Sequence, residues 1–191
     1  MGISRNETKF LTIKHSSGFK VCTLYFLPKL HKPVVVGRPI CSYNGFIFGN
    51  VSIWLHHKLF PILLQQKPHL TDSLSLLKEL EQVRIAPNTI LFTFDVESLS
   101  IPTKEGLHAL KNMITNAFDD QMLNLIMTLS ALVLEYQFLE FNSTYWRHIR
   151  GTSMGSNFFV VYACLFLCFL ENLQEQTMQT RRTNLLQKVY R

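Results

Sequence analysis

The stretch Thr89-Ile90-Leu91-Phe92-Thr93-Phe94-Asp95-Val96 decides how the chain is read. Ile90, Phe92, Phe94 and Val96 alternate with Leu91, Thr93 and Asp95, a period of two that predicts a strand delivering one carboxylate at its C-terminal end. Downstream, a helix is expected from Thr103 or Lys104, with Leu107, Leu110, Ile114 and Phe118 inward. A second is expected from Asp120, where Met122, Leu125, Ile126, Leu129 and Val133 recur at helical intervals. Residues 134–141 and 145–149 flank Asn142-Ser143 as a β-hairpin. Gly151-Thr152-Ser153-Met154-Gly155 then opens the apolar run 158–170, which lacks period two and reads as a buried helix before a polar tail from Glu171.

Upstream, residues 20–27 read as a strand halted by Pro28. Residues 28–39 read as a rigid basic loop with a short strand at Val34-Val35-Val36. Trp54, Leu55, Lys58, Leu59, Ile62 and Leu63 have helical spacing, with Pro61 expected to kink or break that helix. Thr71 or Asp72 can cap the next helix, striped by Leu74, Leu77 and Leu80.

With 191 residues, 47% of them hydrophobic and 17% charged, the chain can bury a core, which excludes disordered and low-complexity architectures. The longest unbroken apolar run has 13 residues, short of the roughly 20 that span a membrane. Residues 1–14 show no apolar signal segment, so an intracellular location, the nucleus included, is expected and secretion is not. The four cysteines form no Cys-x-x-Cys pair and are expected to be reduced core thiols. The net charge of +6 lies wholly in residues 1–38, which hold seven Lys and Arg against Glu7 alone, while the remainder holds twelve of each sign. Such a lobe suits a phosphate-rich partner, and equally a solvated basic surface.

Four separated motifs follow one another in a known order. They are Tyr25-Phe26-Leu27-Pro28-Lys29-Leu30-His31-Lys32-Pro33, Gly37-Arg38-Pro39-Ile40-Cys41-Ser42-Tyr43-Asn44-Gly45, Phe92-Thr93-Phe94-Asp95-Val96-Glu97-Ser98-Leu99, and Gly151-Thr152-Ser153-Met154-Gly155-Ser156 with Tyr162-Ala163 and Glu171 behind it. Together they resemble the reverse transcriptase domain of Penelope-like retroelements, over most of the chain from about Tyr25 to Glu171. The resemblance implies an α+β fold of right-hand polymerase type, fingers plus an incomplete palm, with an antiparallel sheet and packed helices. Residues 1–88 would be the fingers-like region and 89–191 the partial palm, with 104–150 as its helical and hairpin segment. The implied activity is RNA-directed DNA synthesis, in which a DNA primer on an RNA template displaces pyrophosphate from a deoxynucleoside triphosphate under two Mg²⁺ ions.

In that reading Asp95 is the catalytic carboxylate and metal ligand, since hard, oxygen-ligated Mg²⁺ needs a carboxylate on a rigid element. Outside the motif series a strand-end Asp is more often a turn former or salt-bridge partner. Arg38, Lys29 and Lys32 would cradle the triphosphate, Arg as a bidentate fork and Lys as a point charge, although exposed basic residues on a Pro-rich loop have the same pattern. Gly151, Ser153, Met154 and Gly155 would lie beside the nucleotide, a loop that also reads as a helix start. Asp119-Asp120 precedes the glycine motif and sits between helical patterns, so it reads as a helix cap and not as the paired aspartates of a polymerase.

There are departures from the family pattern. No aromatic-x-Asp-Asp motif follows Glu171. The segment after Leu99 is two residues short and lacks the aromatic expected under the sugar, His148 stands for a usual Gln, and Val160 stands for a usual Pro. With one carboxylate the chain taken alone is expected to be silent. The alternative is a non-catalytic, nucleic-acid-binding remnant of a decayed element, and no membrane partner is expected on either reading.

Overall fold

A computed structural model describes residues 3–12, 18, 20–30, 34, 36–66, 69–70, 72–84, 100–149 and 151–181, with side chains to residue 174. Asp95 and the expected strand around it, Lys32, and the segment 185–189 lie outside the described residues. In chain order the elements are α1 (Arg5–Thr12), β1 (Cys22–Pro28), β2 (Gly37–Ser42), α2 (Gly49–Leu63), α3 (Ser73–Gln82), α4 (Thr103–Ile114), α5 (Asp120–Glu135), β3 (Phe138–Phe141), β4 (Thr144–Arg147) and α6 (Asn157–Arg181).

The α+β class stands, but the sheet is mixed and not antiparallel throughout. Its order is β2-β1-β3-β4, with β1–β2 and β3–β4 antiparallel and β1–β3 parallel. The parallel pair follows from connectivity, because α2 to α5 intervene between β1 and β3 and return the chain to start β3 beside the start of β1. Two strands come from each side of the expected boundary near residue 88.

The β3–β4 hairpin turns through Asn142 and Ser143, both in the left-handed region at φ 51° and 57°, the pairing of conformations that suits a tight two-residue connection. In the basic segment the expectation is corrected: the second strand begins at Gly37, and Val34 lies in a bend. Pro39 is tolerated inside β2 because β2 is an edge strand, where a missing N–H leaves no neighbour unpaired. Likewise β1 retains Pro28 as its last residue, paired with Gly37. Pro61 does not break α2, since it falls in the last turn and the helix ends two residues later.

The core joins one face of the sheet to the helices. Cys22, Cys41 and Leu139 pack with Trp54, Leu55 and Leu59 of α2, Leu110 and Ile114 of α4, Ile126 and Val133 of α5, and Phe158, Tyr162 and Leu165 of α6. α6 packs against both α2 and α4. Its polar continuation past Glu171 remains helical to Arg181, so the element is longer than its apolar run. Among the described residues, 157–174 is the one stretch long and apolar enough to cross a membrane, yet Phe158, Val161, Tyr162 and Leu165 within it are core side chains. Against α4, close approach requires Gly106, where any Cβ would collide with the Tyr162 hydroxyl.

Candidate functional site

The arginine motif and the glycine motif, more than a hundred residues apart in the chain, meet. β2 leads from Arg38 to Cys41, and the Cys41 N–H donates to the Met154 carbonyl at 2.7 Å. One step on, the Tyr43 hydroxyl lies 3.3 Å from the Ser153 hydroxyl inside the core. Gly155 has φ +127°, and a Cβ there would collide with the Cys41 carbonyl oxygen. Glycine is therefore required at 155 on two independent counts, backbone conformation and close approach.

From below, Gln137 braces the glycine loop. Its side chain is buried; the amide Nε2 donates to the Leu134 carbonyl at 2.9 Å and the Gly151 carbonyl at 3.2 Å, while Oε1 accepts the Ser153 N–H at 3.1 Å. This residue sits at the junction of α5 and β3, just before the hairpin, and no local pattern marks it. Gly151, at φ +80°, is buried, and a Cβ there would meet the Ser100 Oγ at 3.2 Å. Ser100 follows Asp95 by five residues in the chain.

Between the two motifs opens a cavity of about 410 Å³. Tyr25 of β1 and Ile40 and Ser42 of β2 form one wall, the first turn of α2 from Gly49 to Ile53 another, and Gly155, Ser156 and Asn157 a third. Tyr25 pairs directly with Ile40, so strand alternation sets both on the face opposite the core, together with Arg38 and Leu27. Arg38 is exposed and sits one side-chain step, about 7 Å, from Ile40 along that face. No charged side chain is among the lining residues.

Of the expected site residues, the structure thus brings Ser153, Met154 and Gly155 against the end of the strand that carries Arg38, while Gly151 lies against Ser100 and Gln137. Ser153 is buried and Met154 exposed. Lys29 is half-buried at the other end of the β1–β2 pair from the cavity, where its N–H donates to the Val36 carbonyl at 2.9 Å. It shares that end with Arg38, whose partner in the register is Leu27. Sequence reading missed Gln137 and Ser52.

Burial raises two thiols and a phenol beside the cavity. Burial pushes the Cys22 thiol up to about 12, with the neighbouring Cys41 adding to the effect. Burial likewise raises Cys41, against a lowering from its hydrogen bond to Ser153. The Tyr43 phenol is raised by burial, partly offset by Ser153. Away from the cavity lining, His148 is lowered by burial, against a raising hydrogen bond with the Gly151 backbone. Among the described residues no group of three or more His, Cys, Asp or Glu is placed to hold a metal ion. Comparisons with protein-family models, with curated proteins and with solved structures give no match for this chain.

Proposed function

We propose that the chain is the fingers and part of the palm of an RNA-directed DNA polymerase of the Penelope-like lineage. The observation that supports this best is the meeting of the arginine and glycine motifs around one cavity, since a nucleotidyl transferase must converge distant segments on one nucleotide. In this reading Arg38 holds phosphate oxygens through its planar fork, with Lys29 and Lys32 adding point charges. The loop 151–155 presents backbone beside the nucleotide, held rigid by Gln137. Asp95 would hold Mg²⁺, which when bound supplies Lewis acidity at the reacting phosphate. The basic lobe of residues 1–38 would attract template and primer.

Primer extension on an RNA template, with Mg²⁺ and deoxynucleotides, tests the reading. Three proteins are compared: this chain, its Asp95→Asn variant, and a version carrying a downstream Asp-Asp hairpin. Extension by the hairpin version that Asp95→Asn removes is the expected result. If no version extends a primer, catalysis is lost as the function. The charge asymmetry of residues 1–38 then favours the second reading, a non-catalytic nucleic-acid-binding module, measurable as salt-dependent binding of the same primer–template.

A further inference from the structure

We propose that α3 is a docking helix that seats in the groove between α4 and α6 of a second copy of this chain, the two copies exchanging helices reciprocally. α3 has ten residues and buries none of them. A helix that short is marginal in water without tertiary packing, so its apolar face calls for a partner. Leu74, Leu77 and Leu80 recur at every third position with Leu76 beside them, and they are 68, 55, 48 and 39% exposed in that order. Four exposed leucines on one helix exceed the singly scattered apolar residues of an ordinary surface. The Asp72 cap fixes where α3 begins but gives its leucines no contact.

The groove is the complementary surface. It encloses about 590 Å³, floored by Phe166, Phe169 and Leu170 of α6 and walled by Pro102, Glu105 and His108 at the start of α4. The His108 ring meets Phe169 edge-on at 6.2 Å, joining wall to floor. Leu74 to Leu80 spans about 9 Å of helix and Pro102 to His108 about the same, so stripe and groove are equal in length. Charge fits as well. Lys78 and Glu79 stand on opposite sides of the leucine stripe, while Lys104 lines the α4 wall and exposed Glu171 follows Leu170 on the α6 side. One orientation therefore sets Glu79 against Lys104 and Lys78 against Glu171. Because the leucines are exposed in the single chain, its own α3 does not fill its groove, and the occupant is the α3 of another copy. One helix in one groove is small beside the roughly 1,200–2,000 Å² of a stable interface; reciprocal exchange about a two-fold axis doubles the contact and closes the assembly. Pairing of this kind is independent of the polymerase reading, and either can fail alone.

Sedimentation equilibrium of the full chain should show a monomer–dimer equilibrium. Leu77→Glu spoils the docking face and Leu170→Glu the groove floor. Both residues are exposed in the single chain, so the urea midpoint at dilution should be unchanged in either variant. Each variant alone is expected to weaken dimerisation about ten-fold or more. Mixed in equal amounts, they should form a heterodimer tighter than either variant's own dimer and weaker than the parent's. The reason is that the intact α3 of Leu170→Glu still fits the intact groove of Leu77→Glu. Leucine faces that paired like with like would give no such recovery, and its absence would overturn the exchange. So would a parent chain that is monomeric at every concentration, α3 folded back into its own groove included, or a dimer that survives either substitution. Glu79→Lys should weaken the dimer several-fold, and Lys104→Glu in the same chain should restore it; no rescue overturns the seating. That second pair replaces only exposed charges, so it decides the matter even where a glutamate variant fails to fold.

Discussion

At α5 the Asp119 carboxylate accepts the Met122 N–H at 2.9 Å, and at α3 Asp72 accepts that of Ser75 at 2.8 Å, whereas no side chain does the same at α2. The start of α1 is closed reciprocally, the Ser4 N–H donating to Glu7 at 2.9 Å and the Glu7 N–H donating to the Ser4 hydroxyl at 3.2 Å. At α6 the Ser156 hydroxyl stands in the capping position without a partner. The closed starts belong to α1, α3 and α5; α4, preceded by Pro102, has no side-chain cap either, and of the three uncapped helices α2 and α6 contribute residues to the cavity lining while α4 does not. A side-chain cap is thus one of several ways these helices begin: α2, α4 and α6 start without one and are held by the packing of their buried faces.

The largest effect that would break this comparison is at the loop joining the two regions. Gly155→Ala demands φ +127° of an L side chain and drives Cβ into the Cys41 carbonyl, so the meeting of the two motifs cannot survive unchanged. A loss of about 3 kcal/mol or more is expected, read as the shift in a urea unfolding midpoint. Gly151→Ala is the milder control, strained at φ +80° but meeting only the Ser100 hydroxyl, and should lose about 1 kcal/mol. If the two variants were equally stable, the close approach of Gly155 to β2 would be wrong.

Next is the cap itself. Asp119→Ala should cost about 1 kcal/mol of stability, because it removes an acceptor from a helix that buries Met122, Leu123 and Ile126. Its aspartate was legible from sequence, since an acidic pair ahead of a helical stripe announces a start. So were α4, α5, the turn at Asn142-Ser143 and the apolar part of α6, all set by local periodicity or turn chemistry. The parallel pairing of β1 with β3 was not, because register between strands over a hundred residues apart leaves no local trace. Nor was Gln137, whose bonds to Gly151 and Ser153 span 14 and 16 residues. The contact of Cys41 with Met154 is equally long-range, and the buried, unpartnered hydroxyls of Ser52 and Ser156 carry no local mark in the sequence.

A smaller, pH-dependent effect concerns α1. Glu7 accepts the Trp54 indole N–H at 3.0 Å and pairs with Lys58 at 2.7 Å. The Lys58 ammonium, followed by the bonds to Ser4, holds its carboxyl down from 4.5 to about 2. A depressed folded value stabilises above the unfolded one, so the tie of α1 to α2 is complete above about pH 4.5 and fades as pH falls toward about 2. With the pair partly exposed, less than about 1 kcal/mol is expected. Amide exchange along α1 should accelerate over that window in the parent chain and be pH-flat there, beyond the intrinsic chemistry, in Glu7→Gln.

The smallest expected effect is the sharpest for the comparison. By type and position Ser156 is a helix cap, and removing a working cap of that kind costs about 1 kcal/mol. Its hydroxyl makes no bond, however, and is buried, so Ser156→Ala removes an unsatisfied polar group and should change stability by no more than about 0.5 kcal/mol, read as the shift in a urea unfolding midpoint. A full capping loss would return α6 to the same class as α5. A change within that bound leaves α6, like α2 and α4, a helix begun without a side-chain cap and held by the packing of its buried face.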